Sequence, residues 1–122
     1  MRLRAMHSAT DYFFPGVVGS NDGVTFGATS GTSVILGVAS LCYPTPDVVE
    51  LALMVRADCK RRGVGRVLLT HAVRWAESNG FALIIGYVHG DNRPMFSLAG
   101  AVGFEFVAKD ATFFEARCRI PR

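Results

Sequence analysis

The sequence predicts an α/β fold of the mixed (α+β) kind, a sheet that carries both hairpins and strand–helix–strand connections. Three observations predict it. Strand-like runs over Ser33–Tyr43 and Val48–Arg56 give way to helical spacing between Gly65 and Asn79. A shorter helical stretch, Asn92–Val102, lies between strand-like runs at Phe81–Val88 and Phe104–Val107. The 122 residues are 50% hydrophobic and 19% charged, which excludes disorder and suffices for one buried core. Residues 1–122 are expected to form a single domain.

Taken in order, Arg2–Met6 reads as a short edge strand, and Tyr12-Phe13-Phe14 is an apolar run broken by Pro15-Gly16. Asn21-Asp22-Gly23 is a turn signal between Val17-Val18 and Val24-Thr25-Phe26, as in a hairpin. Gly27–Thr32, rich in Gly, Ser and Thr, reads as a second turn. The Ser33–Tyr43 strand is closed by Pro44-Thr45-Pro46-Asp47, since neither proline can donate to a ladder. Along Val48–Arg56, Val49, Leu51, Leu53 and Val55 fall on one face and Val48, Glu50, Ala52, Met54 and Arg56 on the other.

In the next segment Val67, Leu68, Ala72, Trp75 and Ala76 recur at helical spacing, which makes Trp75 a core residue, and Asn79-Gly80 is a stop signal. Pro94 is compatible with the first turn of the second helix. Gly103 separates that helix from the next strand, and Thr112–Ile120 reads as the last strand.

The formal charge is +3, and of thirteen cationic side chains only Lys60 and Lys109 are lysines. Arginine's planar fork suits phosphate and carboxylate, but a balance this mild names no partner by itself. Cys42, Cys59 and Cys118 form no C-x-x-C pair, and His7, His71 and His89 show no ligand spacing, so no metal is expected. No secretory leader is read at the start, and the longest apolar run, Val34–Tyr43, is too short to span a bilayer; a reducing cytoplasm with free thiols is the expected setting. Cys59 sits where a basic loop can lower a thiol pKa, although such a cysteine is more often a bystander. A mean hydropathy of +0.29 is high for a small monomer and predicts a homodimer.

The chemistry is concentrated in Val55-Arg56-Ala57-Asp58-Cys59-Lys60-Arg61-Arg62-Gly63-Val64-Gly65-Arg66. A strand ends, a basic loop follows, and a helix begins at a Gly-x-Gly. The unpaired amides and partial positive charge of a helix start suit an anion, and glycines allow its close approach. A third glycine of the dinucleotide fingerprint would fall at Leu68, so that reading fails; no Walker G-K-[ST] occurs either.

This loop resembles the [QR]-x-x-G-x-[GA] signature with which the GNAT N-acetyltransferases hold the pyrophosphate of acetyl-CoA. The resemblance extends over about residues 33–107: Gly37-Val38-Ala39, Val49-Glu50-Leu51-Ala52, the loop and its helix, Asn92-Arg93-Pro94-Met95-Phe96-Ser97-Leu98, and Gly103-Phe104. The run from Val48 to Phe104 is particularly similar to the catalytic domain of bacterial protein lysine acetyltransferases. Three features depart from the family pattern. Lys60 replaces Gln or Arg, and Ala99 replaces a tyrosine thought to protonate the leaving thiolate. About 32 residues precede the matched strands, where the family usually places a strand and two helices; this implies the GNAT fold with a shortened N-terminal region.

The resemblance implies that Glu50 is the general base for an amine acceptor, a protein lysine or a small amine. An amine attacks only when neutral, and a carboxylate in a partly apolar cleft can approach the working pH. Without the family, Glu50 reads as an edge glutamate in a surface pair. Met54 and Val55 are implied to meet the pantetheine arm through their main chain, as an added strand would. Arg61, Arg62, Gly63, Val64, Gly65 and Arg66 are implied to cradle the pyrophosphate; basic runs in general are more often solvated turns. Asn92 is implied to bond the pantetheine arm, and it is equally a good helix cap. With Ala99 in place of tyrosine, Ser97, a water or no donor at all serves the thiolate. Two other classes compete: a non-catalytic acyl-CoA-binding module, and a nucleic-acid-binding protein suggested only by the basic pI. The expectation is no nucleic acid, no membrane and no metal.

Overall fold

A computed structural model describes residues 4–5, 23–29, 34–56 and 63–121; of residues 4, 5 and 29 only the backbone is described. The elements are β1 (Arg4–Ala5), β2 (Gly23–Thr29), β3 (Ile35–Thr45), β4 (Val48–Val55), α1 (Val64–Ser78), β5 (Leu83–His89), α2 (Arg93–Val102), β6 (Glu105–Ala108) and β7 (Phe113–Arg119). The strands form one sheet in the order β1-β2-β3-β4-β5-β7-β6. Only β4 and β5 pair in parallel; the other neighbours are antiparallel. This is the mixed sheet that the element order predicts.

The short strand expected at Arg2–Met6 is present as β1, at one edge of the sheet. The Asn21-Asp22 part of the predicted hairpin, with Val17-Val18, lies outside the described residues, and Gly23 opens β2. The turn predicted over Gly27–Thr32 is corrected in its first half: Gly27, Ala28 and Thr29 continue β2 and pair with Val38, Gly37 and Ile35. These small residues lie where α1 crosses the sheet. Ala28 and Ala39 are buried in one cluster with Val64 and Leu68. A Cβ on Gly37 would come within 3.0 Å of Leu68 and 3.1 Å of Val64.

Strand β3 runs on through Pro44 to Thr45, because the register to β4 shifts between Cys42 and Thr45 and Pro44 falls inside the irregularity. Thr45 Oγ1 accepts from the amides of Asp47 and Val48 and closes the turn.

Helix α1 buries Val64, Leu68, Leu69, Ala72 and Ala76, a stripe at the predicted spacing. Trp75 stacks on Tyr43 and Phe81 at 5.6 and 5.7 Å. Phe26 meets Trp75 and the His71 ring edge-on, so these aromatics seal the end of the core that lies away from the start of α1. The helix stops where Asn79 donates twice to the Trp75 carbonyl and Gly80 takes φ 79°. Helix α2 ends at Gly103, whose φ of 114° favours glycine. Among the described residues no helix is long and apolar enough to cross a membrane.

Candidate active site

The site begins with a failure of pairing. Strands β4 and β5 are in register at Val48/Leu83, Val49/Ile84 and Glu50/Ile85, and no further. Beyond Glu50, β4 stays with β3 as far as Val55, and β5 stays with β7 as far as His89. The two strands therefore diverge and leave a wedge in the middle of the sheet.

The phase of the β3–β4 ladder decides which backbone groups edge that wedge. Arg56 N donates to Leu36 O at 2.9 Å, which makes 36 and 56 a hydrogen-bonded pair. By alternation, Ala52 and Met54 turn their main chain to β3, while Leu51, Leu53 and Val55 turn theirs to the wedge. Of the two residues expected to offer main-chain contacts, Val55 faces the wedge. Met54 is 67% exposed and contributes its side chain instead.

A cavity of about 600 Å³ fills the wide end of the wedge, bounded by Leu53, Met54, Val55, Gly63, Gly65 and Arg66 on one side and by α2 from Asn92 to Leu98 on the other. Its head is the start of α1. Gly63 takes φ 83°, no side chain of the described residues caps the helix, and its first turn holds no acidic residue. Val67 N donates to Gly63 O at 3.1 Å, and the amides before it have no partner among the described residues. A Cβ on Gly63 would meet nothing of the described residues within 4 Å, and its positive φ is what favours glycine there. Gly65 has a different reason: a Cβ there would come within 2.9 Å of Leu98 Cδ2 on α2, so that side chain would have to shift. Val64 is buried, 1% exposed, and anchors the turn in the core. No acidic side chain of the described residues lines the cavity. Arg61 and Arg62, with Lys60 and Cys59, lie outside the described residues.

A second cavity of about 310 Å³ continues from the first and shares Leu53, Asn92 and Met95 with it. Glu50, Tyr87 and His89 line it, as does Ala99. Alternation along the strands puts Glu50, Tyr87 and His89 on one face of the sheet, while α1 packs on the other. The wedge thus joins the helix side of the sheet to the side that bears the carboxylate.

Asn92 stands where the cavities meet. Its Oδ1 accepts from Met95 N at 3.3 Å as the cap of α2, and its own amide donates to His89 O. The Nδ2 group has no hydrogen-bond partner among the described residues. His89 Nδ1 is joined to Asp91 Oδ1, and its ring meets Phe113 edge-on. Next to Tyr87 in the ladder is Glu115, 6% exposed. Arg117 reaches Glu115 Oε2 with Nε at 2.8 Å and Nη2 at 2.6 Å, and Lys109 Nζ lies 3.2 Å from the same oxygen. The Arg117 hydrogen bond, chiefly, and the two neighbouring cations hold the Glu115 carboxyl below its ordinary range despite its burial.

The structure thus brings Met54, Val55, Gly63, Gly65, Arg66 and Asn92 to one cavity and Glu50 to the next. Sequence reasoning missed Leu53, Met95, Leu98 and Tyr87. The apolar spacing of Met95 and Leu98 from Asn92 was the only local signal for the α2 wall. No group of three His, Cys, Asp or Glu able to hold a metal occurs among the described residues.

The sequence model of the acetyltransferase (GNAT) family matches residues 4–104. Solved structures with the same fold include the ribosomal-protein-S18-alanine N-acetyltransferase of Escherichia coli, with TM-score 0.76, 19% identity, and 85% of this chain and 73% of that one covered. PaiA N-acetyltransferase of Thermoplasma acidophilum, in complex with coenzyme A, gives TM-score 0.73 and 24% identity, with 80% and 61% covered. A structure from Acinetobacter baylyi gives TM-score 0.74 and 17% identity, with 80% and 64% covered, so the chain spans less than two thirds of the length of these last two.

Proposed function

The chain belongs to the acetyltransferase (GNAT) family, and from that premise we propose that residues 1–122 act as one domain that transfers an acetyl group from acetyl-CoA to a primary amine. The observation that carries this reading is the wedge between β4 and β5, headed by an uncapped helix start and open toward a carboxylate on the opposite face. An anion suits the first-turn amides of α1 beside Arg66, which have no partner among the described residues. Leu53 and Val55 offer strand edge, unpaired among the described residues, to an extended, amide-bearing arm. Leu98, Met95 and Pro94 supply apolar wall, and Asn92 Nδ2 supplies a donor. These residues fit acetyl-CoA, which brings the acetyl group as a thioester.

Glu50 takes a proton from the acceptor's ammonium, directly or through water, so that the neutral nitrogen attacks the thioester carbon. A main-chain N–H on the wedge side of β4 polarises the carbonyl. The wedge holds both reactants in register, which converts encounter into an effectively intramolecular step. A protein lysine or N-terminus and a small amine are the acceptor classes this reading admits. In the same reading the chain works in a reducing cytoplasm and as a homodimer. Val107 and Phe113, exposed on the β6–β7 side of the sheet, support the latter, and sedimentation at micromolar protein tests it.

The test is calorimetric titration with acetyl-CoA, then thiol detection with a panel of a lysine peptide, a peptide with a free N-terminus and a small diamine. Glu50→Gln should lower kcat by roughly hundredfold or more and leave acetyl-CoA affinity unchanged. A substitution that changes neither, with no thiol released by the unaltered chain, points instead to a non-catalytic acyl-CoA-binding module.

A further inference from the structure

We propose that Tyr87 is the group that protonates the departing thiolate, supplying from β5 the hydroxyl that Ala99 lacks on α2. The inference rests on the acetyl-transfer reading above and concerns a residue that the family signature does not single out.

Tyr87 and Ala99 line the same cavity from different elements, and Glu50 lines it too. Ala99 is 4% exposed and carries no polar atom beyond its backbone, whose carbonyl already accepts from Gly103 and Phe104. That wall therefore has no acid. Tyr87 is 55% exposed and its phenol has no hydrogen-bond partner among the described residues, so its proton is available. Its place follows from the register: Ile85 is paired with Glu50, and Tyr87 lies two residues on, roughly 7 Å along the strand on the same face. That is where β5 has left β4 and the wedge has opened.

The other titratable groups nearby are accounted for. Glu50 is the base. His89 has Nδ1 joined to Asp91 and its ring against Phe113. Glu115, across the ladder from Tyr87, is held ionised by Arg117 and Lys109.

The step balances as follows. The acceptor nitrogen, made neutral by Glu50, forms the C–N bond. The C–S bond breaks and its electron pair goes to sulfur, which takes the Tyr87 phenol proton and leaves as a thiol. The amide nitrogen sheds its surplus proton, which returns through water to the phenolate. The phenol O–H can donate to sulfur as charge develops there.

The experiment compares the unaltered chain with Tyr87→Phe, Tyr87→His and His89→Gln. Acetyl-CoA affinity is measured by calorimetry, and thiol release is followed against pH with the best amine of the panel. The expected result is unchanged acetyl-CoA affinity throughout. Tyr87→Phe should lower kcat roughly hundredfold and abolish the alkaline limb of the kcat profile. Tyr87→His should restore turnover with that limb moved down toward the imidazole range, near pH 6.5. Wild-type kcat in Tyr87→Phe overturns the proposal, as does loss of the alkaline limb in His89→Gln instead. A chain that binds acetyl-CoA and releases thiol with no amine also overturns it while leaving the coenzyme site standing. Failure of the unaltered chain to bind acetyl-CoA overturns the acetyl-transfer reading itself.

Discussion

The two helices begin in opposite ways. Helix α2 starts on Asn92, whose side chain caps the Met95 amide, with proline in its first turn. Helix α1 starts on Gly63, in the left-handed region, with no side-chain cap among the described residues and no acidic residue in its first turn. The first start is complete within the chain. The second leaves its amides and the positive end of its dipole to whatever enters the cavity. A stable fold gains nothing from the second arrangement. The difference separates a start that serves folding from one reserved for a ligand, and it is drawn by one residue in each helix.

The most severe way to break this contrast is to give α1 a charge of its own. Gly63→Asp places a carboxylate beside the amides expected to hold the diphosphate. The favourable dipole interaction, about 0.3–1 kcal/mol, roughly offsets the cost of about 1 kcal/mol for a side chain at positive φ. Thermal stability should therefore change little, while acetyl-CoA affinity falls by more than about tenfold through like-charge repulsion and competition for the amides. Gly63→Ala is the control. It carries the conformational cost, should melt lower, and keeps more of the affinity because it adds no charge. Equal affinity losses in both would mean that charge is irrelevant there.

The contrast sharpens at α2. Asn92→Ala removes the cap and should cost about 1 kcal/mol of stability, read from denaturant midpoints. Asn92→Asp keeps an acceptor for the Met95 amide and removes only the Nδ2 donor. It should retain the stability and still lose acetyl-CoA affinity. If Asn92→Asp binds as the unaltered chain does, Asn92 is a cap and nothing more.

Legibility followed the range of the interactions involved. The stripe of Leu68, Ala72 and Ala76, the Asn79-Gly80 stop and the Asn92 cap are set by neighbours within a few residues, and the sequence displays them directly. Gly27–Thr32 reads as a turn because it is rich in Gly, Ser and Thr, yet Gly27–Thr29 continue β2. Ala28 pairs with Gly37 and is buried with Val64 and Leu68 of α1, while Gly27 pairs with Val38 and faces the other way. The Gly-x-Gly was visible as a pair, but its members have different tasks, conformation at Gly63 and helix packing at Gly65. Tyr87 and Leu53 lie in apolar strand runs and read as core. Only the parting of β4 from β5, a tertiary event with no local signature, turns them into cavity wall.

The weakest lever on the contrast is Arg66, in the first turn of α1 and exposed at the cavity rim. An exposed guanidinium acts on a diphosphate through solvent, so its contribution is small and screened, of the order of a surface ion pair at about 0.2–1 kcal/mol. Arg66→Gln should weaken acetyl-CoA binding only about threefold at low salt, and the difference from the unaltered chain should vanish toward 1 M salt, where the screening length falls to about 3 Å. The amides of α1 lie under the helix start and are screened far less. Binding by the Arg66→Gln chain should therefore retain a salt-resistant part, which Gly63→Asp removes. A chain whose entire affinity disappears with salt would locate the anion site in the basic side chains and not in the helix start, and the distinction between the two helices would then carry no function.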